Sequence, residues 1–255
     1  MSVVHRRLSG SLVLVALCLC AAPAARAQDA AAAEARHIET LVARGLHPLA
    51  IKEARRFLER HAKHAEADAV RFRLAGALVE AGQADEAREL YAALATRSSF
   101  ASRGEAALRL ARLEWTAGQL DAAATASVLA LESGPAALRA DAAQLLGEVE
   151  YRRGRHAEAD AAWRRAEQEC EHLQAPAERQ RVRRAALSGR AWCAFHAQNW
   201  DEVIARIDEL VAEQPEAELD ELWLLAGDAH ARAGRHDQAR AAFGRVRAAE
   251  RQELA

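Results

Sequence analysis

The side chains of this chain that could do chemistry are its histidines, its cysteines and a run of arginines, and their spacing decides how far each can go. A serine or cysteine nucleophile needs a strained turn and a base within reach, and no Gly-x-Ser-x-Gly or comparable signature occurs. His61 and His64 stand three apart with Glu66 and Asp68 nearby, a spacing that can put two imidazoles on one helix face. A zinc site would add a third ligand at defined spacing and groups to orient the first three, so metal binding is the lesser reading there. The glycines are isolated and none opens a Gly-x-x-x-x-Gly-Lys loop, which leaves nucleotide chemistry unsupported. No catalytic residue, no cofactor and no metal is therefore expected.

Two further groups have a bland reading beside the active one. Arg179, Arg181, Arg183, Arg184 and Arg190 make a dense basic stretch, read most simply as a solvated helix face paired with Glu178 and other acids, and alternatively as a docking patch for an anion. His156 and His236 both follow Gly-Arg, but Trp200 occupies the same place in another segment, and a repeated position is explained by the repeat as a packed or solvated turn residue.

The first residues address the chain elsewhere. Arg6 and Arg7 precede a nearly unbroken apolar run from Leu8 to Ala22, and Ala25-Arg26-Ala27 supplies small residues around a cleavage point, the pattern of a secretory signal peptide over residues 1–27 cut after Ala27. The run is shorter than the roughly 20 residues a bilayer span needs, so a retained membrane anchor is the weaker alternative. Leu17 and Leu19 stand before Cys18 and Cys20 where lipidation wants a small residue, and Ser9 and Gly10 follow the paired arginines where folded-state export wants apolar ones. The expected location is periplasmic or secreted. Cleavage removes Arg6, Arg7 and Arg26 and no acid, moving the formal charge from −2 to −5, which gives no bulk attraction to nucleic acid. Cys170 and Cys193 survive. With a bend near Gln174 to Pro176 they would lie roughly 20 Å apart along the helices, so two free, packed thiols are expected rather than a disulfide.

The elements that must carry these side chains are helices. Apolar residues recur at three and four, strand formers never alternate, and alanine, leucine, arginine and glutamate dominate. Gly82, Gly118 and Gly154 are 36 residues apart, each followed five residues later by alanine (Ala87, Ala123, Ala159), and Gly234 with Ala239 repeats the pattern. Gln198 with Val203 holds the phase 36 residues before Gly234. A glycine can take the left-handed conformation that ends one helix and turns into the next, and Asp85, Asp121, Asp201 and Asp237 then fall in the first turn of the second helix, where its dipole favours an acid. Leu74-Ala75, Leu110-Ala111 and Leu146-Gly147 precede the glycines, and Tyr91, Trp163, Ile207 and Phe243 follow them by nine, with Ser127 breaking the series. These are the large and small residues with which helix hairpins interlock.

The pattern resembles the tetratricopeptide repeat, most closely where Trp223, Gly227, Gly234, Ala239 and Phe243 fall at the family's signature positions and Pro135 and Pro215 where it ends a repeat. A degenerate first unit carries Gly45 and Ala50, with Ala54, Phe57 and His61 in its second helix. The resemblance implies an all-α, right-handed α-solenoid of antiparallel helix hairpins, about five to six repeats. Its domain would cover 28–250, with units at roughly 33–66, 68–101, 104–138, 140–175, 176–217 and 220–250 and a tail at 251–255. Spacing departs from the family where Gly154 to Gln198 is eight residues longer than the other intervals, which predicts about two extra helical turns shared between helices and a pair that projects from the stack.

In such a solenoid the first helices line a concave groove. Three residues before each cap position come Val79, Trp115, Tyr151, Phe195 and Ala231, and with Phe72, Trp192, Arg112, Glu148, Arg152, Asp228 and Arg232 they would form an aromatic groove with charged borders, suited to a peptide or protein partner. The competing reading is that the aromatics only pack between hairpins. The function this implies is an exported, non-enzymatic binding scaffold in cell-envelope assembly or maintenance. The alternatives are a structural protein that self-associates through its stack ends, and a metal-binding or enzymatic repeat protein.

Overall fold

A computed structural model of the chain describes residues 28–213 and 219–246, and among them every regular element is an α-helix. Helix α1 spans residues 28–43. It is followed by α2 (His47–Arg60), α3 (Ala67–Glu80), α4 (Ala84–Ala95), α5 (Arg103–Thr116), α6 (Leu120–Ser133), α7 (Ala136–Arg152), α8 (His156–Cys170), α9 (Pro176–His196), α10 (Trp200–Glu213), α11 (Asp220–Arg232) and α12 (His236–Phe243). The expected all-α helical repeat forms. The segment 1–27 expected to be a signal peptide, with Cys18 and Cys20, together with Pro215 and the tail 251–255, lies outside the described residues. Among the described residues no helix is long and apolar enough to cross a membrane.

The turn inside each hairpin is one motif used repeatedly. Gly45, Gly82, Gly118, Gly154 and Gly234 all sit near φ +70 to +75°, in the left-handed region. At Gly154 the glycine N–H donates to the Tyr151 carbonyl and the next N–H, of Arg155, donates to the Glu150 carbonyl, each at 2.9 Å. This pair of hydrogen bonds satisfies two orphan carbonyls of α7. Nothing stands within 4 Å of where a Cβ would be on Gly82, Gly118, Gly154 or Gly234, so the backbone angle, and not crowding, calls for glycine there.

Gln198 adopts the same conformation, at φ 57°, and makes the same two bonds, to Phe195 at 3.0 Å and from Asn199 to Ala194 at 2.9 Å. A side chain in that region costs about 1–2 kcal/mol, part of which glycine gives back through a freer unfolded chain. Gln198→Gly is therefore expected to stabilise its unit by about 1 kcal/mol. A urea midpoint that stays put or falls would contradict this.

Contacts divide the chain after Tyr91 into two compact units. In the first, α2 packs on α3 around Ala54, Phe57, Val70 and Leu78, all fully buried, and the rings of Phe72 and Tyr91 meet at 5.6 Å. In the second, each helix packs on its sequence neighbour, while α5, α7, α9 and α11 pack in a row. That row is the platform for the site.

Small residues let these helices approach. Trp163 on α8 is only 5% exposed, and a Cβ on Gly147 (α7) or Gly189 (α9) would lie 2.6 Å or 2.3 Å from its indole. The ring is wedged between two glycines on successive first helices. At the position where Ser127 breaks the large-residue series, its buried hydroxyl donates to the Ala123 carbonyl at 2.8 Å, so a polar group is accommodated without an orphan.

The longer interval before Gln198 is distributed differently from the expectation. Compared with the preceding hairpin, α8 gains one residue, the connection three, and α9 four, giving a helix of 21 residues that starts at Pro176. The gain is about one helical turn and a longer connection, not two turns shared between helices. The added turn of α9 is tied down: Val182 is buried, Arg179 donates to the Leu173 carbonyl at 3.1 Å, and Arg183 pairs with Glu171, Glu209 and Glu213.

Candidate functional site

The double-bonded caps fix the residues just before them. Trp115, Tyr151 and Phe195 each stand three residues before a cap, and the cap residue donates its N–H to the carbonyl of that aromatic at 2.9–3.0 Å. Across the row, each ring meets the residue two before the next cap. The Arg152 guanidinium lies 4.3 Å above the Trp115 ring, and the Arg232 guanidinium is 5.5 Å from the Phe195 ring and 5.4 Å from Trp200. Between these cationic rungs, Tyr151 Oη and His196 Nε2 share a hydrogen bond of 2.9 Å. Each ring is half-buried and is met by a residue of the next hairpin.

A cleft of about 450 Å³ opens on this row, lined by Trp115, Glu148, Tyr151, Arg152, Trp163, Gly189, Trp192 and Glu221. Five of these are residues expected at the groove: Trp115, Glu148, Tyr151, Arg152 and Trp192. The other expected residues lie elsewhere. Phe72 belongs to the first unit against Tyr91. Arg112 is held by Asp141 at 3.0 Å, Phe195 and Arg232 form the rung beyond the cleft, and Asp228 is exposed on α11.

Trp163 and Gly189 were not expected there, because Trp163 reads from sequence as a packing residue of a second helix. The signal that could have found them is the pair of glycines at 147 and 189 inside helices, which lets the indole reach through to the groove floor. Glu221 carried no signal, since its place in the cleft depends on how α11 seats against α9.

Beside Tyr151 the imidazoles of His156 and His196 stack at 4.1 Å and 6°. Burial, and then the neighbouring His196, hold His156 below the ordinary imidazole range, while burial and Arg235 do the same for His230 despite Asp208. A base held down in the folded state binds its proton more tightly when unfolded, so stability is full above the unfolded value of about 6.5 and is lost as pH falls from there to the folded value. Glu167 acts in the other direction, because burial outweighs Arg190 and raises its carboxyl, so protonation favours the folded state above the usual glutamate range. The thermal midpoint is expected to fall between pH 7.5 and 5.5, and less steeply in a His156→Gln, His230→Gln variant. A flat profile for the unmodified chain would contradict the assignment.

The remaining reactive groups are engaged structurally. His64 Nδ1 accepts the Glu66 N–H at 3.1 Å, and among the described residues no group of three or more potential ligands gathers around a metal-sized space. Cys170 and Cys193 are buried free thiols, and burial with the Asp160 carboxylate pushes Cys193 up to about 12, far from a reactive thiolate.

Arg181, Arg183 and Arg190 are engaged by acids of neighbouring elements, and Arg179 by the Leu173 carbonyl, so these four do not form an unpaired docking patch for an anion. Arg181 reaches Asp141 on α7 at 2.6 Å. Arg190, its side chain 8% exposed, donates to Asp160 at 3.0 Å and Glu167 at 2.7 Å on α8 and stands 3.6 Å from Glu202 on α10. It clamps three helices of the long hairpin and its neighbour.

A family model described as a tetratricopeptide repeat-like domain matches residues 14–189. No curated protein matches the chain. Among solved structures, a tetratricopeptide repeat protein from Parabacteroides merdae is 16% identical, with a TM-score of 0.60 over 86% of this chain and 81% of its own. Pseudomonas aeruginosa pilF is 16% identical, with a TM-score of 0.57 over 85% of this chain and 90% of its own. BtubC from P. vanneervenii is 18% identical, with a TM-score of 0.56 over 82% of this chain and 89% of its own. At these identities the likeness is one of fold.

Proposed function

The chain belongs to the tetratricopeptide repeat-like family, and from that premise we propose that it is an exported, non-enzymatic scaffold that holds a partner protein or peptide in the groove of its second unit. Chains of this fold serve in general as protein–protein interaction scaffolds. The observation that carries the finer reading is the cleft of about 450 Å³ lined by Trp115, Tyr151 and Trp192, three half-buried aromatics against which a ligand side chain can pack. Aromatics presented by capped helix ends are rigid, so little entropy is lost when they are covered.

Export rests on the residues before Gln28, and a role in cell-envelope assembly or maintenance follows from export together with the scaffold fold. Fractionation with N-terminal sequencing tests the first part, with a periplasmic or secreted chain beginning at Gln28 expected and a cytoplasmic one beginning at Met1 counting against it. The groove is tested by affinity capture from envelope extract with the native chain and a Trp115→Ala, Tyr151→Ala double variant of unchanged helicity. Loss of the captured protein in the variant is expected, and equal recovery would remove the groove assignment.

A further inference from the structure

The cleft is aromatic, but its charges are not balanced. The sequence spaces Glu148 and Arg152 four apart on α7, the acid on the N-terminal side, an arrangement that ordinarily pairs along a helix. Here the pair is not made. Arg152 is drawn across onto the Trp115 ring, and Glu148 takes its hydrogen bond from the neutral Gln144 at 3.2 Å. On the opposite wall Glu221 is exposed on α11, and among the described residues no ion pair joins it.

Two other carboxylates along the same row, Glu105 and Asp141, are engaged. Glu105 holds Arg109 at 2.8 Å, and Asp141 holds both Arg112 at 3.0 Å and Arg181 at 2.6 Å. Two carboxylates without cations, flanking three aromatic walls and an indole floor, are the complement of an apolar side chain with positive charge on either side of it. A second cavity of about 370 Å³ shares Trp192 and Glu221 with the cleft and continues along α9 past Ser188, which gives room for the backbone of an extended segment beyond one anchor residue.

We infer that the cleft takes an extended peptide segment in which a bulky apolar residue is flanked by lysine or arginine, the apolar side chain entering over Trp163 and the cations meeting Glu148 and Glu221. This rests on the groove reading above and adds the chemistry of what fills it. Exposed ion pairs are weak singly, so discrimination comes from two of them acting on a ligand already seated by its apolar anchor.

Fluorescence anisotropy with three labelled peptides separates the possibilities: Gly-Gly-Lys-Phe-Lys-Gly, Gly-Gly-Glu-Phe-Glu-Gly and Gly-Gly-Lys-Ala-Lys-Gly. The lysine-phenylalanine peptide is expected to bind about tenfold more tightly than the glutamate one at low salt, and the advantage should shrink as added salt screens the pairs. The alanine peptide should bind weakly. In a Glu148→Gln, Glu221→Gln variant, whose changes leave the buried core untouched, the two phenylalanine peptides should converge. Equal or tighter binding of the glutamate peptide, abolished by Trp115→Ala, would overturn the charge inference while leaving the groove reading standing. Binding of none of the three would overturn it as well, and the groove would then stand or fall on affinity capture alone.

Discussion

Trp163→Ala is expected to cost the second unit about 3–5 kcal/mol, the range for emptying a buried large aromatic site, and to lower its thermal midpoint by roughly 10 °C. The site should not collapse easily, because the indole is flanked by glycines on α7 and α9 that carry no side chain, and Tyr151, whose ring lies 5.9 Å from the indole, is already held by His196. The reciprocal change separates wedge from mere burial. Gly189→Ala gains up to about 1 kcal/mol of helix propensity, yet its Cβ would stand 2.3 Å from an indole that has nowhere to go, so a net loss of about 1–3 kcal/mol is expected. Gly227→Ala meets Phe243 just as closely, but that ring is 37% exposed and can move away. Circular-dichroism melts that ranked Gly227→Ala as the more damaging would contradict this account of the packing.

Arg190→Ala is expected to be of similar size, about 3–5 kcal/mol, for a different reason. It leaves Glu167 on α8 without its cation and Asp160 on the same helix with Arg164 alone, at 2.8 Å, and one oxygen of Glu167 is already buried without a hydrogen-bond partner. Uncompensated buried charge, and not lost attraction, is the dominant cost. Two outcomes follow. Removing the arginine takes away the cation that opposes burial at Glu167 and so raises that carboxyl further, and the deficit relative to the native chain should narrow as pH falls into the carboxylate range. Replacing all three, Arg190→Met with Asp160→Asn and Glu167→Gln, should recover most of the loss. A deficit that is constant with pH would mean that the arginine acts through packing alone.

Much of this was legible before any coordinates. The glycines, the acids that follow them and the alanines five residues on are local features, and local physics reads them directly, including Gln198 as a stand-in that keeps the left-handed turn. What escaped notice depends on placement across the row. The aromatics at Trp115, Tyr151 and Phe195 were visible, but not that each is met by Arg152, His196 or Arg232, because the partner sits in the next hairpin. Trp163 was legible as a packing residue and not as a groove floor, since that role requires two glycines on other helices to align over it. The arginine stretch showed its charge but not its partners, which come from α7, α8 and α10. The eight added residues showed their number but not their division between helix and connection, which α9 settled by gaining one turn and the connection by taking three residues.

The rungs across the groove also bear on how such a chain can be cut and rejoined. A middle hairpin, α7–α8 or α9–α10, excised at its own boundaries carries an aromatic whose covering side chain stays behind and a covering side chain whose aromatic stays behind, so its exchange breaks two rungs. The segment that carries a rung intact runs instead from one aromatic to the residue that closes it, such as Trp115 to Arg152, and is staggered by about half a hairpin against the hairpin boundaries. Every join between Trp115 and Arg232 crosses at least one rung, so a chimera should keep its groove only where the incoming hairpin supplies the matching aromatic or covering residue.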